Sequence, residues 1–128
     1  MNVLIVSDDE EDSQVLFEAI GEMLPDTVCC MADTAIQCLK LVADLPAAPD
    51  FIFLDSRLPD MSSDECLEKL VTNPKLISTK FIMYAGLGGP ELEKRFMERG
   101  ADYFLEKPGS ITQLRHALSQ IFHISVPS

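Results

Sequence analysis

Apolar runs of strand length alternate with amphipathic stretches along the chain. The runs lie at 3–6, 27–31, 51–54, 80–84 and 102–105. They are largely apolar without a polar residue at every second position, which is typical of parallel strands covered on both faces. The pattern therefore predicts five strands in the interior of a parallel sheet.

The stretches between the strands carry apolar residues at helical spacing and predict five helices. Asp12 or Ser13 is placed to cap the first helix, and Pro25 to stop it. The fourth helix is bounded by Pro90 and Gly100. The apolar positions that mark the first, second, third and fifth helices are Val15, Leu16, Ala19, Ile20, Met23, Leu24, Ile36, Leu39, Val42, Ala43, Cys66, Leu67, Leu70, Ile111, Leu114, Leu118, Ile121 and Phe122.

This alternation predicts a (βα)5 chain, that is, an α/β fold with a doubly wound sheet between two layers of helices. A length of 128 residues with 47% hydrophobic content is enough for one core. We therefore expect one domain over residues 1–122, with 123–128 a C-terminal tail or the start of a linker.

The charge of the chain limits its partners. The formal net charge is −11, from 21 acidic and 10 basic residues. Such a surface repels phosphate backbones, so direct nucleic-acid binding is not expected. Cations and basic protein surfaces are the favoured partners.

Cysteine usage and hydropathy favour a soluble, cytoplasmic protein. The four cysteines have neither CxxC spacing nor the density of a small secreted scaffold, so we interpret them as reduced thiols packed in the fold. The N-terminus has no basic region and turns acidic after six residues, unlike a secretory signal. No apolar run approaches the roughly 20 residues that a membrane span requires.

Charged side chains follow three of the five predicted strands. Ser7, Asp8 and Asp9 follow the first strand, Asp55 ends the third and Lys107 follows the fifth. The carboxyl ends of parallel strands meet at one edge of a doubly wound sheet, where ligands bind. We therefore expect these side chains to form one site.

The expected site has the chemistry of phosphoryl transfer. Carboxylates from two strands suit Mg²⁺, and a lysine opposite them suits a phosphoryl oxygen. A carboxylate can itself accept a phosphoryl group when neighbouring cations neutralise the charge. Asp55 is the candidate, because a strand fixes its backbone and the turn SRLPDM that follows is expected to expose it.

Several segments resemble one known family, the receiver domain of two-component response regulators. They are VLIVSDD, FIFLDSRLPDMSSDE, KFIMYAG and GADYFLEKP, and with the closing helix they cover essentially the whole chain. The most specific features are an acid after the first strand, LDxxLPxM after the third and KP after the fifth. The resemblance implies a flavodoxin-like fold whose five-stranded parallel sheet has the strand order 2-1-3-4-5.

The resemblance also implies roles for individual residues. Asp55 would be the phosphoacceptor, and Lys107 would contact the phosphoryl group. Asp8, Asp55 and the backbone carbonyl of Arg57 would bind Mg²⁺. The bond between Lys107 and Pro108 would match a cis proline of the family.

The partners implied by the resemblance are proteins. The phosphodonor would be a phosphohistidine on a histidine kinase or a phosphotransfer protein. Output would be contact with a downstream protein through the face formed by the fourth helix, the fifth strand and the fifth helix.

The acids after the first strand match the family in either of two registers. The family has two adjacent acids there, and one register places Ser7 and Asp8 at these positions. The other places Asp8 and Asp9 there but requires an extra residue in the turn. Asp8 is the expected ligand in both. In the first register a carboxylate is missing, which weakens Mg²⁺ binding, and Asp9 or Glu10 is a candidate to replace it.

Three further positions concern the family's switch. Ala85 stands where the family has a serine or threonine whose hydroxyl binds the phosphoryl group and couples it to an aromatic residue on the fifth strand. Phe104 matches that aromatic residue, and the amide of Gly86 remains available. Ser63 stands where the family prefers glycine.

These departures leave a second hypothesis open, a degenerate receiver that binds partners without being phosphorylated. Other functions are disfavoured. The sequence Asp55-Ser-Arg lacks the second aspartate of the haloacid dehalogenase phosphatases, and GLGGP lacks the Lys-Ser/Thr of a nucleotide-binding loop. We expect a signalling module and not an enzyme.

Overall fold

The computed structural model describes residues 1–86 and 88–124. The strands are β1 (Asn2–Val6), β2 (Val28–Ala32), β3 (Phe51–Asp55), β4 (Lys80–Ala85) and β5 (Tyr103–Glu106). The helices are α1 (Glu10–Met23), α2 (Ala35–Asp44), α3 (Ser63–Val71), α4 (Gly89–Glu98) and α5 (Ile111–Phe122), with a 3-10 turn at Pro74–Leu76. Residues 125–128 of the predicted tail lie outside the described part of the chain.

The sheet is parallel throughout, in the order β2-β1-β3-β4-β5. The predicted fold class and strand order are confirmed, and each strand boundary lies within one residue of its predicted place. In the middle of the sheet, Val6 of β1 pairs with Leu54 of β3. The residues that follow them, Ser7 and Asp55, therefore emerge side by side at the carboxyl edge.

Two hydrophobic clusters cover the two faces of the sheet, as the continuous apolar strands predict. One joins the sheet to α2, α3 and α4 and includes Leu54 and Phe96. The other joins it to α1 and α5 and includes Phe53 and Phe122. Successive residues of β3 thus pack into opposite layers, which fixes the direction of the Asp55 side chain.

The structure corrects four predicted apolar helix positions and one helix cap. Val15, Ile36 and Ile111 are 44%, 50% and 43% exposed, and Ala43 is exposed as well, because each lies beside, and not within, the buried stripe of its helix. The N-cap of α1 is Asp9 and not Asp12 or Ser13, since the Asp9 carboxylate accepts a hydrogen bond from the Asp12 amide.

The four cysteines are free, and two of them, Cys38 and Cys66, are buried between α2, α3 and the sheet. Among the helices of the described ranges, none has the length and apolar character that crossing a bilayer demands. 

Candidate functional site

The carboxyl ends of β1, β3, β4 and β5 surround one cleft of about 350 Å³. The lining residues are Asp8, Asp9, Asp55, Ser56, Arg57, Gly86 and Lys107. The structure therefore brings together the residues that the sequence places after separate strands. Three carboxylates and one ammonium group face the same space.

Asp55 is buried, contrary to the expectation that the following turn exposes it. Its side chain is only 6% exposed. Three groups donate hydrogen bonds to the carboxylate: the Ser7 hydroxyl to Oδ2 at 2.8 Å, the Lys107 ammonium to Oδ2 at 3.2 Å and the Arg57 amide to Oδ1 at 3.0 Å. A buried carboxylate requires such partners, and these donors together compensate for its removal from water.

Ser7 continues the line of β1 and occupies the place beside Asp55. Its amide donates to the carbonyl of Ala32 on β2, and its buried hydroxyl accepts a hydrogen bond from the Asp9 amide at 3.2 Å. Asp8 is exposed at the mouth of the cleft, whereas Asp9 caps α1. This geometry favours the register in which Ser7 and Asp8 correspond to the paired acids.

Lys107 is shared between two carboxylates. Its Nζ lies 2.5 Å from Asp12 Oδ2 and 3.2 Å from Asp55 Oδ2. Burial lowers the pKa of Lys107, but the hydrogen bond to Asp12 and the charge of Asp55 outweigh it, so the pKa lies above its usual value. The ammonium group is therefore charged at neutral pH.

Tyr84 forms the floor beneath the lysine. The Lys107 ammonium lies 5.3 Å from the centre of the Tyr84 ring. Burial, reinforced by the charge of Asp12, raises the pKa of Tyr84 to about 12. The phenol is therefore neutral at physiological pH. Its ring packs against the Lys107 ammonium group without adding a charge to the site.

The cleft offers the donor chemistry that Mg²⁺ requires. The ion prefers oxygen ligands, keeps several waters and binds through one or two carboxylates. Asp8 and Asp55 both line the cleft with carboxylates, and Arg57 also lines it. Across residues 1–86 and 88–124, no group of three or more His, Cys, Asp or Glu side chains is arranged to hold a metal. A site of this kind would depend on the backbone and water for its remaining ligands.

A family model described as the response regulator receiver domain matches residues 3–119. The chain belongs to this family. Receiver domains are signalling modules of two-component systems that typically bind Mg²⁺ and interact with histidine kinases or phosphotransfer proteins. The predicted family is confirmed.

Solved structures of receiver domains share the fold. The Mn(2+)-bound form of response regulator Rcp1 matches with a TM-score of 0.83 and 17% identity over 99% of both chains. A phosphorylated cyanobacterial phytochrome response regulator, RcpA, matches with 0.84 and 16% over 99% of this chain and 98% of that one. A CheY-like receiver domain from Methanospirillum hungatei matches with 0.78 and 24% over 95% and 93%.

Phe104 on β5 of this receiver domain packs against α4. The Phe104 ring stacks on Phe96 of α4, with ring centres 6.5 Å apart and an interplanar angle of 21°. A Cβ atom at Gly88 would lie 2.5 Å from the Phe104 ring, so only glycine allows the loop before α4 to approach so closely.

Ala85, which ends β4, is fully buried and offers no hydroxyl to the cleft. Gly86 follows it and lines the cleft.

The loop after Asp55 is fixed to two helices of the receiver domain. The Ser63 hydroxyl donates to the backbone carbonyl of Asp55 at 2.6 Å, an interaction that glycine could not make. Asp60 accepts hydrogen bonds from the amides of Ala35 and Ile36 at the start of α2, both at 2.9 Å. The bond from the Ile36 amide lowers the pKa of Asp60. These bonds hold the segment between Asp55 and α3 in place.

The bond between Lys107 and Pro108 is trans, so the predicted cis proline is wrong. The described residues contain no cis peptide bond. The trans form is the more stable one for most bonds before proline, by about 0.5–1 kcal/mol. The Lys107 amide donates to the Ala85 carbonyl at 2.7 Å, which ties the lysine to the end of β4.

Two residues of the site were not assigned by the sequence. The sequence predicts a missing carboxylate at Ser7, whereas the Ser7 hydroxyl donates a hydrogen bond to Asp55. The sequence predicts Asp12 as a candidate helix cap, whereas Asp12 pairs with Lys107. Asp12 lies in the first turn of α1, directly after the strand-end acids, and this proximity in sequence is the signal that could have placed it near the site.

Proposed function

We propose that this receiver domain accepts a phosphoryl group on Asp55 from a phosphohistidine of a histidine kinase or phosphotransfer protein. The observation that supports this most directly is the contact between the Asp55 carboxylate and the Lys107 ammonium, 3.2 Å apart in a cleft that also contains Asp8. A nucleophilic carboxylate beside a fixed cation is the arrangement that phosphoryl transfer to an aspartate requires.

The proposed reaction is a displacement at phosphorus. A carboxylate oxygen of Asp55 forms a bond to phosphorus while the phosphorus–nitrogen bond of the donor breaks, and the imidazole leaves with the electron pair and takes up a proton. Asp8, Asp55 and the carbonyl of Arg57 would hold Mg²⁺, which supplies neutralisation of the phosphoryl oxygens when bound. Lys107 would supply a second positive charge, and the Gly86 amide would donate a hydrogen bond to the phosphoryl group.

The output of the domain is proposed to be protein contact. The face formed by α4, β5 and α5 is the proposed docking surface, on which Met97 is 39% exposed. The Phe104 ring beneath α4 would link this face to the cleft. The net charge of −11 supports a protein partner over a nucleic acid.

We also propose a cytoplasmic location, which the free cysteines support. The receiver domain is proposed to span residues 1–122.

We favour phosphorylation over the alternative of a degenerate receiver. Ser7 and Ala85 motivate that alternative, because each removes a side chain that the family uses. Asp55, Lys107 and Asp8 nevertheless retain the nucleophile, the cation and a metal ligand around one cleft. The hydroxyl missing at Ala85 would affect how the domain responds to a phosphoryl group more than whether Asp55 can accept one.

Chemical mapping of the phosphorylated residue tests the proposal. The protein is incubated with Mg²⁺ and acetyl phosphate, and its intact mass should increase by one phosphoryl group. Borohydride reduces an aspartyl phosphate to homoserine, so peptide sequencing after reduction should find homoserine at position 55. A protein that gains no phosphoryl group, or homoserine at another aspartate, would contradict the proposal.

Replacement of Ser7 by aspartate should make the stability of the protein depend on Mg²⁺. The new carboxylate would lie beside Asp55, and two buried carboxylates repel each other unless a cation separates them. Without Mg²⁺ we expect the melting temperature of Ser7→Asp to fall by several degrees. Millimolar Mg²⁺ should restore most of this loss, with a binding midpoint about tenfold lower than that of the wild type. Thermal melts across a Mg²⁺ titration provide the measurement.

The matched control for this experiment is Ser119→Asp. Ser119 is also buried, but it lies on α5, where its hydroxyl donates to the His116 carbonyl. This variant should lose stability that Mg²⁺ does not restore. An equal response of both variants to Mg²⁺ would mean that Ser7 does not adjoin the metal site.

A further inference from the structure

Lys107 makes its shorter ion pair with Asp12 and not with Asp55. The Nζ atom lies 2.5 Å from Asp12 Oδ2 but 3.2 Å from Asp55 Oδ2. The proposed reaction assigns no part to Asp12. We propose that Asp12 is a positioning residue that draws the Lys107 ammonium away from the phosphoacceptor and thereby limits phosphorylation of Asp55. This inference rests on the proposed function, whose regulation it describes.

The start of α1 fixes Asp12 in this position. The Asp12 amide donates to the carboxylate of the N-cap Asp9 at 3.1 Å, and Leu16, one turn later, is fully buried. The cap at its start and the buried Leu16 one turn later therefore fix the orientation of the first turn of α1. The Asp12 side chain, 28% exposed, reaches Lys107. Three groups therefore surround the ammonium: Asp12, Asp55 and the ring of Tyr84.

Asp12 is also in a position to replace the carboxylate that Ser7 lacks. An acid in place of Ser7 would lie beside Asp55, whereas Ser7 brings only a hydroxyl group there. Asp12 supplies a second negative charge to Lys107 from α1. The charge balance around the lysine is thus kept, but the second carboxylate belongs to a helix and not to a strand end.

This arrangement opposes an incoming phosphoryl group. Lysine is a point charge on a flexible stem, so the carboxylates that pair with it decide where its charge lies. An ammonium shared between two carboxylates offers little positive potential to a further anion, and the charge of Asp12 repels that anion directly. Removing the charge of Asp12 should allow the Lys107 ammonium group to interact more strongly with Asp55 and the phosphoryl oxygens.

The test compares initial rates of phosphorylation by acetyl phosphate, below saturation and in the presence of Mg²⁺. Asp12→Asn should be phosphorylated about 3- to 10-fold faster than the wild type, because asparagine keeps the size but loses the charge. Asp12→Glu, which keeps the charge, should stay within about twofold of the wild type. Thermal melts of each variant verify that the fold is retained, as expected for a partly exposed side chain.

Glu11→Gln is the matched control for net charge. Glu11 is the neighbouring residue in the same helical turn and is exposed. Its replacement removes an equal charge without touching the ion pair, so its rate should remain within about twofold of the wild type. An equal increase in Glu11→Gln and Asp12→Asn would overturn the inference, because the effect would then follow from overall charge.

A second measurement reports the ion pair before any phosphorylation. The ammonium signal of Lys107 in nitrogen-detected NMR is identified by its loss in Lys107→Arg. This signal should shift in Asp12→Asn and stay in place in Glu11→Gln, a pattern that a purely structural role of Asp12 would not produce. An unshifted signal, or an Asp12→Asn rate equal to or below that of the wild type, overturns the inference alone. A wild-type protein that is never phosphorylated overturns the proposed function and this inference with it.

Discussion

Replacing Asp55 by asparagine should abolish phosphorylation, lowering the rate with acetyl phosphate by more than about 100-fold. The amide has the shape of the carboxylate but carries no charge and is not a competent nucleophile for phosphorus. Its oxygen can still accept the hydrogen bond from Ser7, and Lys107 keeps its ion pair with Asp12. The fold should therefore persist while the chemistry is lost. Intact-mass measurement over time checks the rate, and circular dichroism checks the fold.

Asp44→Asn is the control for this substitution. Asp44 is exposed at the carboxyl end of α2 and does not line the cleft. The variant should be phosphorylated at the wild-type rate. If Asp55→Asn gained a phosphoryl group as fast as this control, another residue would be the acceptor, and the role given to the Asp55–Lys107 pair would be wrong.

Replacing Phe53 by alanine should cost about 3–5 kcal/mol of unfolding free energy. Phe53 is 1% exposed on the central strand β3, and its ring meets that of Phe122 on α5 edge-on, with centres 6.1 Å apart. The smaller side chain would leave a cavity between the sheet and the layer of α1 and α5. Small domains are stable by only about 5–15 kcal/mol, so this loss is a large fraction of the total. Urea denaturation followed by circular dichroism measures it.

The matched deletion is Phe17→Ala. Phe17 lies on α1 and is 37% exposed, so the same atoms are removed from a site that water already reaches. We expect a loss of no more than about 1 kcal/mol. Similar losses in the two variants would show that the cluster on this face of the sheet does not carry the stability assigned to it.

The architecture was predictable because each strand and each helix carries its own local signal. Continuous apolar runs define the five strands, and the helices between them force parallel pairing. Burial on individual helix faces was less predictable. Ile36 satisfies the apolar pattern of α2 but lies about a third of a turn beyond Ala35, outside the stripe of Ala35, Cys38 and Val42 that faces the sheet.

The composition of the site was predictable for residues that follow strands and not for the others. Asp8, Asp55 and Lys107 reach the cleft because parallel strands end at one edge. Asp12 reaches it from a helix, where the rotation set by the Asp9 cap decides which side chain faces the lysine. The resemblance to the family predicts a cis bond before Pro108, whereas the bond is trans, because no local pattern around this proline specifies its isomer.

Local patterns in the chain specify the parallel sheet, its layers of helices and an acidic site with one lysine, because periodicity and strand-end chemistry are local properties. The burial of Asp55, the hydrogen bond that Ser7 donates to it and the sharing of Lys107 between two carboxylates arise only from the folded arrangement. These facts depend on distances between residues about 50 or more positions apart along the chain. Such distances follow from the register of the paired strands and from how α1 packs on the sheet, which no local pattern records.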